Sequence, residues 1–170
     1  MMKTCEALRQ RMFALAGCDW AGEGCFKEGE ELSLLMDGER LTVEAPDISA
    51  AARGLFLAAC ALRDGEDIPE LHQTRHIASC GMMLDMSRGG VMTVEAVKGM
   101  IDAHAALGLN LMMLYTEDTY TVPEAPYLGY LRGRYTEKEL REMDDYAAES
   151  GVELVPCVQT LAHLEQFLQW

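Results

Sequence analysis

A chain of 170 residues is long enough to bury a core of its own, and 49% apolar with 25% charged residues is globular rather than disordered composition. A formal charge of −14 excludes a phosphate-backbone partner, which needs clustered Lys and Arg, so no nucleic acid is expected. The longest apolar stretch, "AAARGLFLAACAL", is broken by Arg53 and too short to span a bilayer, and "MMKTCEALRQ" is too polar for a signal peptide; a cytoplasmic protein without a membrane partner is the expectation.

Residues 5–16 set Leu8, Met12 and Leu15 on one predicted helical face. "GCDWAGEGCFKEGEE" is Gly-rich and acidic and reads as a loop. "ELSLLM" and "RLTVEA" flank Asp37-Gly38, a hairpin signal. Asp47 then suits the N-cap of a helix whose Ile48, Leu55, Phe56, Ala59 and Leu62 share a face, and "RDGEDIPE" (63–70) reads as a linker. Residues 1–73 are therefore expected to form a small α+β unit.

From residue 74 the pattern changes and repeats. Thr93 precedes a predicted helix that Gly108 ends, and the strand "LNLMMLY" follows; Thr136, Gly151 and "VELVPCV" restate this 43 residues later. Thr136 and Glu139 make a T-x-x-E capping box, and both glycines suit a left-handed C′ position. With "CGMMLDM" (80–86) in front, the order is strand, helix, strand, helix, strand: a parallel sheet covered by helices.

Ligands of such sheets bind at the carboxyl ends of the strands. The first predicted strand ends in Asp85 with Arg88 beyond, the second in Glu117-Asp118 between Tyr115 and Tyr120, and the third in Gln159 with His163 beyond. Each apolar strand delivers polar groups to one rim. Asp85 and Arg88 could simply pair with each other, and His163 could simply cap the next helix. Adjacent carboxylates such as Glu117 and Asp118 raise each other's pKa, which suits proton handling. The six cysteines include no CxxC pair and read as reduced thiols; a zinc site from Cys18 and Cys25 lacks a common ligand spacing, and His72, His76 and His104 have none. No metal or cofactor is expected.

"GMMLDMSRGGVMTVEAVKGMIDAHAALGLNLMMLYTEDTY" resembles the opening of the catalytic barrel of family 20 glycoside hydrolases, the β-N-acetylhexosaminidases, in which a G-L-M-L-D-x-S-R pattern leads to a helix and a strand ending in an acid pair. "RGRYTEKELREMDDYAAESGVELVPCVQTLAHLEQ" is similar to the next portion, and "GERLTVEAPDISAAARGLFLAACAL" more weakly to the α+β domain that precedes such barrels, the resemblance covering roughly residues 31–170. The resemblance implies an N-terminal α+β domain at 1–73 and, over 74–170, the first three βα units of a TIM (β/α)8 barrel. It implies hydrolysis of terminal N-acetylhexosamine from glycans with retention, the substrate's own 2-acetamido oxygen attacking the anomeric carbon. The catalytic Asp-Glu pair of such enzymes follows a fourth strand, so the acid/base is expected downstream of Trp170 and residues 1–170 alone are expected to be inactive. Glu117 and His163 match a polar network behind the catalytic Glu, Asp118 the second acid of the pair, and Asp85 and Arg88 the first-strand motif. Two departures bear on sugar recognition: Cys80 stands where many members have a sugar-binding Arg, and "LYTEDTY" replaces H-L-x-D-D.

Two other readings stand beside this one: a small doubly wound non-enzymatic domain with an acidic pocket for a ligand or partner, and a different barrel hydrolase using Glu117 and Asp118. Three strands with apolar side chains on both faces leave one face open, so the chain is expected to self-associate as a dimer centred on Met83, Leu111 and Met113.

Overall fold

The computed structural model describes residues 2–160. Helix α1 (Met2–Ala16) opens the chain and buries Leu8, Met12, Phe13 and Ala16. Leu15, expected on that face, is half exposed. The buried positions recur at spacings of four, five and eight residues, and Leu15 falls off that stripe.

The segment read as a loop contains strand β1 (Glu23–Glu28), a correction to the sequence reading. It pairs in parallel with β3 (Arg40–Ala45) from Glu23↔Arg40 to Glu28↔Ala45. An edge strand with Glu23, Lys27 and Glu28 has no apolar alternation to reveal it. Strand β2 (Leu32–Asp37) forms the expected hairpin with β3, and Gly38 takes the left-handed φ of 60° that the turn requires. A two-residue strand β4 (His72–Gln73) completes a four-stranded sheet in the order β1-β3-β2-β4.

Helix α2 (Ile48–Asp64) starts where the Asp47 side chain accepts from the Ala50 N–H at 2.8 Å. Ala51, Ala52, Leu55, Ala58 and Ala59 are buried together because the helix has neighbours on several sides: strands β2 and β3, α1, and the next helix α3 (Val94–Leu107). Gly54 meets the sheet directly, where a Cβ would press on Leu32 and Leu34. Small residues let α2 pack closely on all of them, and it becomes the joint between the two halves of the fold.

The second sheet is wholly parallel: β5 (Gly81–Asp85), β6 (Leu111–Tyr115) and β7 (Glu153–Cys157), in that order. Its crossovers are α3 and α4 (Glu137–Glu149). Thr136 and Glu139 make both bonds of the expected capping box, and Gly108 and Gly151 take φ values of 75° and 69°. Met112 and Leu114 of β6 are buried, whereas Leu111, Met113 and Tyr115, of the opposite parity, are only half-buried. Met83 beside Met113 on β5 is 52% exposed. No helix among the described residues is long and apolar enough to cross a membrane.

Candidate functional site

Strands β5 and β6 pair from Gly81↔Leu111 to Asp85↔Tyr115, so both end at one level and their polar termini share a rim. Beyond Asp85 the chain turns at once: the Asp85 carboxylate accepts from the Ser87 N–H at 2.8 Å and the Ser87 hydroxyl at 2.7 Å. Those bonds, led by the Ser87 hydroxyl and helped by Arg88, hold the Asp85 carboxyl below the usual range. The turn aims Arg88 back across the strand ends. Its guanidinium lies 3.9 Å from Asp85 and 3.7 Å from Glu117 Oε1.

Glu117 is buried, and its φ of +48° is a left-handed conformation that a non-glycine residue seldom adopts. Such a conformation persists only where the surroundings enforce it. Here the enforcing structure is a tight turn, in which the Thr119 N–H and hydroxyl both donate to the Thr116 carbonyl, at 2.9 and 2.8 Å. The Tyr115 hydroxyl reaches Glu117 Oε1 at 3.4 Å, and burial, then the Glu117 charge, push that phenol up. A half-exposed Arg, a Tyr and two acids thus converge where a ligand would enter.

The adjacent acids are split in role by the turn. Asp118 faces inward, fully buried, and its Oδ1 accepts from Arg132 Nη1 at 2.6 Å. Burial raises the Asp118 carboxyl, Arg132 opposes that rise, and Glu117 adds to it. Among the described residues, Asp118 Oδ2 and Thr116 Oγ1 are buried without a hydrogen-bond partner. Tyr135 closes the base of the segment that carries Arg132: its backbone pairs with Thr119 and Thr121, and its hydroxyl donates to the Met92 carbonyl at 2.5 Å. Burial pushes the Tyr135 phenol up to about 12.

Asp85, Arg88 and Glu117 are therefore brought together, and Asp118 backs them from the interior. His163 lies outside the described residues. Tyr115 was noted from the sequence only as flanking the acid pair, and Arg132 was not singled out; the signal for Arg132 was a basic "RGR" following an acid pair in an otherwise acidic chain. Cys80 is exposed just before β5, its N–H donating to Asn110 Oδ1 at 2.9 Å. No group of three or more metal-ligating side chains occurs among the described residues.

This mixed α/β arrangement, a parallel sheet joined through α2 to an α+β unit, is similar in fold to solved β-N-acetylhexosaminidases. A solved family 20 glycoside hydrolase, a β-N-acetylglucosaminidase, superposes with a TM-score of 0.68 at 26% identity, over 92% of this chain and 36% of that one. The chitobiase of Flavobacterium johnsoniae gives 0.69 at 24% identity over 86% of this chain and 26% of its own, a likeness of fold. A chitooligosaccharidolytic β-N-acetylglucosaminidase of Bombyx mori is 30% identical over 93 residues, 49% of this chain and 15% of that protein. No family profile matches the chain. The chain is similar to family 20 glycoside hydrolases, the family its motifs resemble, and spans about a third of the length of the first of these structures.

Proposed function

We propose that this chain forms part of a β-N-acetylhexosaminidase that releases terminal N-acetylhexosamine from glycans in the cytoplasm by substrate-assisted, retaining hydrolysis. The observation that carries this reading is Arg88 bridging Asp85 and the buried, left-handed Glu117 at the carboxyl ends of parallel strands. In this reading residues 1–73 are the non-catalytic α+β domain and residues 74–170 the first three βα units of a (β/α)8 barrel. Strand β4 at His72–Gln73 supports that boundary, because it is the last element of the first sheet. The three-stranded sheet is short of the roughly five strands of a complete doubly wound domain, which weighs against the acidic-pocket alternative.

The reaction divides as follows. The substrate's 2-acetamido oxygen attacks the anomeric carbon, and a Glu beyond a fourth strand gives its proton to the leaving oxygen. Glu117, with His163, supports that acid from behind. Asp118 and Arg132 hold the turn that presents Glu117, and Arg88 fixes the Glu117 carboxylate. Residues 1–170 alone should leave an aryl N-acetyl-β-glucosaminide intact. In a protein extended beyond Trp170, Glu117→Gln should lower kcat by about tenfold or more with KM little changed, because the lost group assists the transition state rather than gripping the sugar. Wild-type kcat and an unmoved pH profile in that variant would rule the network out.

The half of the sheet that a barrel would enclose is the face of Met83, Leu111 and Met113. The α+β unit packs on α3 through α1 and α2, and among the described residues Met83 stays exposed and Leu111 and Met113 half-buried. Residues 1–170 should accordingly pair through that face as a dimer. Sedimentation from low to high micromolar concentration should show the monomer giving way. A single monomeric species throughout would count against it.

A further inference from the structure

In the first sheet one strand is only half covered. The order β1-β3-β2-β4 places β4 beside β2, yet β4 pairs only with Leu32 and Ser33. Continuing that antiparallel register would set Leu71 against Leu34 and Pro69 against Met36. Proline has no N–H to give a ladder, so β4 begins only at His72 and the segment before it draws away from β2. A cleft is left between residues 33–36 of β2 and residues 66–70. Side chains of both parities, Leu34 and Met36 with Ser33 and Leu35, line it, so β2 turns its edge rather than a face toward the opening.

Edges that must stay unpaired are blunted with charge or proline. The opposite edge of the same sheet carries Glu23, Lys27 and Glu28 on β1. Residues 34–36 of β2 are instead Leu-Leu-Met, and Leu35 is 63% exposed. The apolar lining of the cleft is fixed in place: Leu34 belongs to the core, and Trp20, Met36, Leu62 and Ile68 pack against it. A strand edge beyond its last paired residue offers N–H and C=O groups in a row, and over an apolar lining it matches an extended chain with apolar residues at alternate positions. The rim of the cleft is acidic. Glu66, Asp67 and Glu70 are exposed along it, no lysine or arginine among the described residues lines it, and His72 at its end meets Glu31 at 2.7 Å. A second copy of this chain would set the same acids against one another, so the charge selects a basic segment instead.

We propose that the open edge of β2 is a docking site for an extended basic segment of a partner protein, Lys or Arg alternating with apolar residues, which adds to the sheet along residues 34–37. The backbone of that segment pairs with β2, its apolar side chains meet Leu34, Met36 and Trp20, and its cations balance Glu66, Asp67 and Glu70. The site belongs to the first sheet and uses none of Asp85, Arg88 and Glu117, so it stands or falls independently of the hexosaminidase reading.

The test is an NMR titration of the isotope-labelled 170-residue chain with the peptide Lys-Val-Lys-Val-Lys-Val-Lys, acetylated and amidated at its ends. At up to about 1 mM the peptide should move the amide signals of residues 34–37 and the Trp20 indole, and slow hydrogen exchange at residues 34–37. Glu66→Lys, Asp67→Lys and Glu70→Lys together should weaken binding about tenfold or more. These side chains are exposed, so the triple variant should keep the wild-type spectrum elsewhere. The same peptide with Glu for each Lys should leave residues 34–37 unmoved. The Lys peptide N-methylated at every residue keeps its charge but cannot give a ladder, and it should bind about tenfold more weakly. No movement at residues 34–37 with the basic peptide, an equal response to the acidic or the N-methylated one, or an unchanged affinity in the triple variant would each overturn the site. Movement of residues 34–37 with protein concentration alone would give the edge to a second copy and overturn it as well.

Discussion

Replacing Arg132 by alanine should destabilise the fold by about 3–5 kcal/mol, the usual cost of removing one partner from a buried ion pair. Asp118 is fully buried, and Arg132 donates to its Oδ1, while Oδ2 has no hydrogen-bond partner among the described residues. Without the guanidinium the carboxylate would stay buried and uncompensated, or take up a proton. The pH dependence tells these apart. Burial already raises the Asp118 carboxyl, so the folded chain holds that proton more tightly than the unfolded one does. Its favourable contribution is complete below the unfolded pKa and is lost as pH rises through the folded value. Removing Arg132 lifts the folded value further, so the variant should lose most at neutral pH and recover part of the deficit on acidification. Asp118→Asn in the same background should also recover part of it at pH 7. Urea unfolding at pH 4.5 and 7 would measure both. A deficit of under about 1 kcal/mol at pH 7, the scale of a surface ion pair, would mean that solvent reaches the carboxylate.

Legibility in the sequence followed the range of the interactions. The capping box at Thr136–Glu139 and the left-handed Gly108 and Gly151 are local devices, complete within a few residues, and each was readable where it stood. The parallel sheet was readable because β6 is apolar on both faces and bounded by helices with clear ends. Asp85, Arg88 and Glu117 were found by asking what three strands deliver to one edge, a question of topology rather than motif. Strand β1 was missed because its stability comes from pairing with β3, which no property of "EGCFKE" announces. The inward course of Asp118 was also invisible, since its partner there is Arg132, fourteen residues on. The attachment of α1 was out of reach for the same reason on a larger scale, its key pair being 91 residues apart.

That pair makes the last prediction. Arg11 on α1 extends between α3 and α4, where Nε donates to Asp102 Oδ1 at 2.9 Å and Nη2 donates to the same carboxylate and to Ser150 Oγ, the latter at 2.6 Å. Its guanidinium carbon lies 3.6 Å above the centre of the Tyr146 ring, and the Tyr146 hydroxyl donates to Asp102 Oδ2 at 2.9 Å. One cation therefore serves a carboxylate, a hydroxyl and an aromatic face, and it ties the first helix to the second half of the fold. Arg11→Ala should cost about 2–4 kcal/mol, because a mostly buried Asp102 loses its charge partner and Tyr146 its stacked cation. Arg11→Lys should restore only part of this, since an ammonium cannot fork to two acceptors while lying flat on a ring. Burial, then the bond to Asp102, pushes the Tyr146 phenol up to about 12. The wild-type fold should accordingly keep this contribution below pH ~10 and lose it as pH rises through about 12, the sign expected of a raised phenol. Hydrogen exchange gives the spatial readout. In Arg11→Ala the amides of α1 should exchange faster than those of β5 and β6, because the helix is released while the parallel sheet remains. If α1 and the sheet lost protection together and to the same degree, the helix would be held by its Leu8–Met12–Phe13 face alone, and the Arg11 cluster would be a passenger on that packing.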